Sequence, residues 1–464
     1  MYKNVLSVGI FDILHPGHLR LFEFAKSVTS SLTIALIDDP KKSSQSIDVR
    51  KREILASGLA DRVIIIKSLR EISANLSTYE AIIQGSEFQK NAEFQNFLIG
   101  LSGEIKVIYW GTGPSFVSYL PSERTAENLI QNFCNRNTIN TETIQATLDK
   151  IQKLNVLVIG DVIVDKYIQA ETVGISREDP TMVVRPINES VFLGGAGIVA
   201  AHSAAIAKNV SLISKAGFCP SQDFVEKKMI EYGVNHTQFL KQKEFRTTTK
   251  TRIRTNDKTQ IRINEFDDFV LSDEQTQYML TYISSLDYKP DLVILSDFSL
   301  GTFTKSNVKK LIQYFKKNKI PISADSQVSS KVGDLSMYKG ADYICPTEFE
   351  ARSCLHDHHS NIRELSCELM KKIECTHCIQ TLGSEGVYIT TEGSRGKFKY
   401  DSLPALSKNP IDVAGAGDAF LVASSCALAV GASIWTAALI GSRASKAQIE
   451  RYGNEPLCIS DLYG

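Results

Sequence analysis

Phe11-Asp12-Ile13-Leu14-His15-Pro16-Gly17-His18 stands between a short apolar run, Val5 to Ile10, and a segment, Leu19 to Ser27, whose Leu19, Phe22 and Lys26 recur at helical spacing. The order is therefore strand, loop, helix. Pro16 suits the first helical turn, where its missing N–H would have been unpaired anyway. Gly17 lets a ligand come close to the backbone. His15 and His18 flank the helix start, where the dipole and free N–H groups favour an anion. Two imidazoles aimed at one phosphoryl centre can stabilise an in-line displacement without a covalent intermediate.

Working outward, Leu32 to Ile37, Val63 to Ile66, Ala81 to Ile83 and Val107 to Tyr109 read as further strands, with a helix over Arg50 to Leu59. Strands alternating with helices predict a parallel sheet covered on both faces. The pattern fades near Leu129, and a polar, asparagine-rich stretch follows to Asn140 before a helix over Glu142 to Lys153. The expected division is a first domain over 1–131, a linker over 132–152 and a second domain over 153–464. The second opens with the strand Val156 to Ile159 and continues with strands at Leu292 to Leu295, Ile320 to Ala324, Tyr343 to Cys345 and Cys378 to Thr381. Short β-like runs over Tyr167 to Val191 suit a small lid sheet. There is no internal repeat and no low-complexity segment.

The bulk numbers narrow the function. The chain has 464 residues, 43% hydrophobic and 22% charged, as in globular proteins with real cores. Lys plus Arg and Asp plus Glu number 52 each, so no basic field gathers nucleic acid or an anionic membrane, and any phosphate site must be local. No apolar run is long enough to span a bilayer; Ala419 to Ala432 is interrupted by Ser424 and Ser425. Nine scattered cysteines suit reduced thiols, and the cytoplasm is the expected compartment.

A second local device is Asp412-Val413-Ala414-Gly415-Ala416-Gly417-Asp418-Ala419-Phe420, ahead of a long apolar helix. Glycines at a helix start expose N–H groups as an anion hole, here Gly415, Ala416 and Gly417. Asp418 at its rim is placed to take a proton from an attacking hydroxyl.

The first stretch resembles the His-x-Gly-His signature of the cytidylyltransferase-like family over roughly the first 130 residues. That resemblance implies a Rossmann-like nucleotidyltransferase in which Phe11, Asp12 and Gly17 hold nucleotide. It implies Lys41 or Lys42 and Arg52 on the triphosphate, Gly85-Ser86-Glu87-Phe88 lining the pocket, and a late phosphate loop at Ser122-Glu123-Arg124-Thr125. The second stretch resembles the ribokinase-like (PfkB) sugar kinases over residues 153 to 464, an α/β fold with a small β lid. It implies Asp161 and Asp165 on sugar hydroxyls with Asp297 nearby, Gly194 and Gly195 closing on the sugar, and Lys250 and Arg252 on an existing phosphate. Thr381 and Gly383 would meet ATP, and Glu350 would organise Mg²⁺.

The run Gly160-Asp161-Val162-Ile163-Val164-Asp165-Lys166-Tyr167, with Ile175-Ser176 and Pro180, is similar to the kinase half of bifunctional heptose enzymes. Those pair a heptose 7-phosphate kinase with a heptose 1-phosphate nucleotidyltransferase, in the opposite domain order. The pairing implies ATP, Mg²⁺ and a second NTP, ATP or CTP, as cosubstrates, a sugar phosphate as partner and a homodimer. The chain departs from that pattern at Ile198, for an asparagine, and at Thr347, for the first member of Asn-x-x-Glu. It departs again at Leu300, for a lysine, and at Ala414, for a threonine. Such changes remove polar partners and predict an altered sugar preference. Two other readings keep the motifs: an alditol-phosphate cytidylyltransferase fused to another carbohydrate kinase, or a sugar or nucleotide sensor with a retired kinase site. Cys354, His356, His358, His359, Cys367, Cys375, His377 and Cys378 cluster in sequence, but their spacing fits no compact finger, and buried thiols beside a polar loop are the expectation.

Overall fold

The structure, a computed structural model, describes residues 1–85, 88–89, 91–99, 105–110, 123–243, 245–256, 258–267, 269–327, 333–407 and 409–463; the side chains of 74, 75, 123–125 and 395 fall outside that description. The chain divides into two compact α/β units, each assembled from separated segments. Unit 1 takes residues 1–139, 347–371 and 378–406, and unit 2 takes 140–346, 372–377 and 407–464.

Unit 1 begins with β1 (Tyr2–Gly9), α1 (Pro16–Val28), β2 (Thr29–Ile37), α2 (Ile47–Ala56), β3 (Arg62–Ile66), β4 (Ala81–Gly85), α3 (Ala92–Ile99), β5 (Lys106–Trp110) and α4 (Glu123–Arg136). The strands form a parallel sheet in the order β3-β2-β1-β4-β5. Val5, Leu32, Ile34 and Ile83 face Phe22 and Ala25 on one side, while Leu6, Val8 and Ile82 meet Ile72 and Phe94 on the other. The near-continuous apolar character of these strands follows from burial of both faces. The strand order reverses between β1 and β4, so a crevice opens at their carboxyl ends. The loop Ile10 to His15 leaves β1 at that point.

In unit 2, α5 (Thr141–Ile151) begins at Asn140, whose Oδ1 accepts the Thr143 N–H at 2.8 Å. Ile144, Leu148 and Ile151 bury one helical stripe. The segment expected as a linker is thus largely helical, divided between the end of α4 and α5. Next come β6 (Asn155–Gly160), β7 (Val162–Ile175), β8 (Met182–Gly195), α6 (Ala196–Ile206), β9 (Asn209–Ala216), α7 (Pro220–Glu231) and β10 (His236–Lys241). They are followed by β11 (Thr248–Thr255), β12 (Lys258–Glu265), α8 (Asp273–Ser285), β13 (Leu292–Asp297), α9 (Lys305–Lys317), β14 (Ile322–Ser326) and β15 (Tyr343–Ile344). Strands run parallel in the order β10-β9-β6-β13-β14-β15. A separate sheet, β12-β11-β7-β8, occupies the region expected as a lid and is larger than the sequence suggests, recruiting the polar strands β11 and β12.

Unit 1 resumes with α10 (Glu348–Leu355), most of α11 (Ile362–Ile373), β16 (His377–Thr381), β17 (Val387–Glu392) and β18 (Phe398–Leu403), the last two antiparallel. Unit 2 closes with α12 (Ala416–Ala429) and α13 (Ile434–Ile449). Cys375 and Cys378 are buried. Among the described residues no helix is long and apolar enough to cross a membrane.

His202 on α6 is fully buried; its Nδ1 accepts the Leu457 N–H at 3.1 Å, and burial lowers its pKa to about 3. A histidine that takes up a proton only after unfolding contributes stability above the ordinary pKa of about 6.5, and loses it as pH falls towards its folded value. The thermal midpoint is expected to fall on acidification from pH 7 to pH 4, and to fall less steeply for His202→Asn. Calorimetry across that range checks it; identical slopes would contradict the assignment.

Candidate active sites

The first site lies at the crevice of unit 1. Gly9 ends β1, and Phe11 takes a left-handed conformation (φ 42°) that turns the chain towards α1. His15 is the N-cap residue without a side-chain cap bond, Pro16 opens the helix, and the His15 carbonyl accepts the His18 N–H at 2.9 Å. With its ring released from capping, His15 stacks on His18, centroids 3.6 Å apart, and Phe11 stands edge-on to His18 at 5.1 Å. A Cβ on Gly17 would come within 3.0 Å of the His15 ring, which is the packing reason for glycine.

Both imidazoles are neutral at pH 7. Burial holds His15 well below its usual value, with the charges of His18, Arg363 and Arg20 adding to the effect. Burial, with the charge of Arg363 adding to it, takes His18 to about 4. The Nδ1 atoms of both rings are buried without a hydrogen-bond partner among the described residues. Such atoms are costly unless a ligand satisfies them. They adjoin a cavity of about 590 Å³ whose lining includes Phe11, Asp12, Gly17, Lys42, Gly85 and Phe88.

Other expected residues stand differently. Asp12 faces the cavity but accepts the N–H of Ser44 (2.7 Å) and Gln45 (2.9 Å), and so fixes the loop after β2. Lys42 is exposed, 3.6 Å from Asp39. Arg52 is exposed on α2 and is not part of the lining, whereas Arg50, one turn face away, is buried and donates to the carbonyls of Ile10 (2.6 Å) and Ile37 (3.0 Å). Arg50 thereby ties the ends of β1 and β2 together. Ser86, Glu87 and Ser122 lie outside the described residues, and Thr125 is described only as part of the α4 backbone. Sequence reasoning missed Asn361, Arg363, Glu364 and Tyr400, which also line the cavity. No local signal marks them; they come from α11 with its preceding turn and from β18.

Unit 1 is held together around this site by buried charge. Arg20 on α1 donates from Nε to Glu385 (2.8 Å) and from Nη2 to Glu348 (2.9 Å), and Glu348 also takes Arg352 at 2.7 Å. Arg136 and Asn137 both donate to Asp401. The Thr347-Glu348-Phe349-Glu350 motif forms a capping box: Thr347 Oγ1 accepts the Glu350 N–H, and Glu350 Oε2 accepts the Thr347 N–H at 2.7 Å. A threonine serves this role as well as an asparagine would. Thr381 bridges to Thr347, and Gly383 turns with φ 59°.

The second site lies in unit 2. Gly415, with φ 76°, precedes α12; Ala416 and Gly417 open the helix, and a Cβ on Gly417 would meet nothing within 4 Å, so its surroundings are open. Asp418 lies in the first turn, its Oδ1 accepting Gln327 Nε2 at 3.0 Å. Asp165 pairs with Arg252 and accepts Asn454 Nδ2 at 3.3 Å. A Cβ on Gly194 would fall 2.4 Å from Asp165 Oδ2, so glycine there makes room for the carboxylate; Gly195 turns with φ 56°. Lys250 is buried 5.1 Å from the Phe298 ring centre; burial lowers its pKa although Asp165 opposes. Asp297 is raised to about 6 by burial and by the neighbouring Asp161.

Two expectations shift. Asp161 accepts the N–H groups of Phe298 (3.0 Å), Leu300 (3.1 Å) and Thr302 (3.1 Å), so its carboxylate pins the loop after β13. Arg252 is engaged by Asp165 and lies 5.2 Å from the Tyr167 ring centre. Leu300 packs with Ile163 and Phe298, and Ile198 is wholly buried in α6, so neither position offers a polar group.

Comparison with known proteins divides the chain by sequence segment and cuts across the two compact units. The family described as pfkB family carbohydrate kinase matches residues 153–460, and Cytidylyltransferase-like matches residues 6–100. Bifunctional protein HldE of Desulfatibacillum aliphaticivorans is 29% identical over 311 residues, 66% of this chain and 62% of that protein. The protein of the same name from Nitratiruptor sp. is 29% identical over 313 residues, 67% and 64%. The chain thus spans less than two thirds of the length of these relatives. Arabidopsis thaliana ribokinase, solved with ribose and ATP, superposes with TM-score 0.53 at 15% identity, covering 67% of this chain and 97% of that one. Phosphofructokinase-2 from Escherichia coli, in complex with substrates and products, gives 0.54 at 14%, again over 67% and 97%. Both likenesses establish a ribokinase-like fold.

Proposed function

The chain belongs to the pfkB family of carbohydrate kinases, and from that premise we propose that it activates a sugar in two steps. In the first, ATP phosphorylates a sugar phosphate, of the heptose 7-phosphate kind, at the anomeric hydroxyl: Asp418 takes the hydroxyl proton, and the N–H groups at the start of α12 receive the transferring phosphoryl group. In the second, after a separate phosphatase has hydrolysed the original phosphate ester of that bisphosphate, the sugar 1-phosphate oxygen attacks the α-phosphorus of an NTP beside His15 and His18, releasing pyrophosphate and forming a nucleotide sugar. The buried, unsatisfied Nδ1 pair on the crevice cavity carries this reading.

Glu350 offers a carboxylate, the hard donor that Mg²⁺ prefers, and Mg²⁺ would neutralise phosphate charge when bound. The order of the two activities is read as the reverse of that in bifunctional heptose enzymes. Exposed Val173, Ile175, Met182, Val183, Ile187, Ile261 and Ile263 on the four-stranded sheet support a homodimer through that face. Nine cysteines scattered along a long chain suit the cytoplasm. Leu300 and Ile198 favour a sugar other than the usual heptose at the kinase site.

The test is mass spectrometry of products from heptose 7-phosphate, heptose 1-phosphate and a panel of other sugar and alditol phosphates, each with ATP and with CTP. A bisphosphate from the kinase and a nucleotide sugar with pyrophosphate from the transferase are expected. No product from any pair would overturn the proposal, and products from non-heptose substrates alone would move the sugar assignment.

A further inference from the structure

One wall of the His15/His18 cavity is built from residues more than 340 positions along the chain, at the start of α11 and on β18. Arg363 stands there with its Cζ 4.1 Å from the centre of the Tyr400 ring. The Tyr400 side chain also hydrogen-bonds the guanidinium, and with five N–H donors Arg363 keeps others that an anion can take. Among the described residues no carboxylate lies within salt-bridge distance of Arg363. The acids sharing the cavity are otherwise arranged: Asp12 is held by Ser44 and Gln45, and Lys42 sits between Asp39 and Glu93. Glu364 is the adjacent residue on α11, and Asn361 Oδ1 accepts its N–H at 3.0 Å. The charge of Arg363 reaches both His15 and His18, so the three groups share one electrostatic environment.

A buried pair of imidazoles with unsatisfied nitrogens, lining one cavity with an exposed guanidinium that has no carboxylate within salt-bridge distance among the described residues, is complementary to a phosphate anion. We propose that Arg363 is a phosphate-binding residue of the nucleotidyl-transfer site, supplied by the segment 347–371 and not by the motif-bearing N-terminal residues. This rests on the functional reading above. The anion is either the triphosphate chain of the NTP or the monoester of the sugar phosphate, and the experiment separates them.

Full-length wild type, Arg363→Ala and Arg363→Lys are compared by steady-state kinetics, with kcat and KM resolved for each substrate, and by calorimetric binding of inorganic pyrophosphate and inorganic phosphate. Loss of a charge-assisted contact is expected to raise one KM about 10- to 100-fold in Arg363→Ala, with partial recovery in Arg363→Lys and kinase turnover unchanged. A higher KM for the NTP together with weaker pyrophosphate binding assigns the triphosphate; a higher KM for the sugar phosphate together with weaker phosphate binding assigns the monoester. Both KM values and both affinities within twofold of wild type would overturn the proposal. If wild type turns over no substrate pair, the functional reading fails, and the two binding measurements alone decide the role of Arg363.

Discussion

Asp418→Asn is expected to lower the kcat for phosphorylation about 10³-fold while leaving the fold and the nucleotidyl transfer from supplied sugar 1-phosphate intact. The reason is local. The carboxylate lies in the first turn of α12 with Oδ1 accepting Gln327 Nε2, and an asparagine carbonyl accepts that same bond. What asparagine cannot do is take a proton, and removing a positioned general base costs about 10²–10⁴ in rate. The loss of negative charge at a helix N-terminus costs only about 0.3–1 kcal/mol. Thermal melting and both activities are measured on one preparation. Phosphorylation at the wild-type rate would remove Asp418 from the chemistry, and absence of phosphorylation from both proteins would favour a sensor over a kinase.

Arg20→Ala is expected to destabilise unit 1 by about 3 kcal/mol, since removing one partner of a buried ion pair strands the charge left behind. Arg20 is 7% exposed and forks onto two carboxylates, Glu385 and Glu348. Glu348 retains Arg352, which keeps the expected loss at the lower end of the usual 3–5 kcal/mol. Arg20→Lys preserves the charge but not the planar fork, and should recover part of the loss. Adding Glu385→Gln to Arg20→Ala should restore stability relative to the single variant, because the stranded charge is then gone. Chemical denaturation of wild type, Arg20→Ala, Arg20→Lys, Glu385→Gln and the double variant checks this; a loss below 1 kcal/mol, or no coupling in the cycle, would show that the cluster is energetically idle.

The particular residues explain what was readable in the chain. The strands of the first sheet are buried on both faces and bounded by polar turns, so Val5 to Ile10 or Leu32 to Ile37 announce themselves. The strands β11 and β12, Thr-Thr-Lys-Thr-Arg-Ile-Arg-Thr and Lys-Thr-Gln-Ile-Arg-Ile-Asn-Glu, carry alternating polar residues, and β12 is exposed throughout. Nothing in their hydrophobic pattern marks them. The His15/His18 pair was legible because its parts are three residues apart. Arg363 and Tyr400 were not, because only folding brings them to the same cavity. Arg52 was expected at the phosphates by family resemblance, but the helical phase puts Arg50 inward and Arg52 outward. Asp161 shows the converse limit: an acid at the right spacing can be claimed by backbone N–H groups that spacing does not reveal.

The interleaving of unit 1 has a bearing on how the molecule is born. The five-stranded sheet is complete in the early part of the chain, yet its Glu348 and Glu385 counter-ions and the Tyr400 wall are translated much later. Roughly 270 residues separate Ile139 from Leu406, and at ribosomal speeds of about 5–20 residues per second that gap lasts about 15–50 s. For that interval the guanidinium of Arg20 faces water, and α1 presents its eventual contact surface bare to the cell. A ribosome stalled in this window would display the five-stranded sheet with its His15/His18 motif already made and its final wall missing, a species on which chaperones and proteases have the first claim.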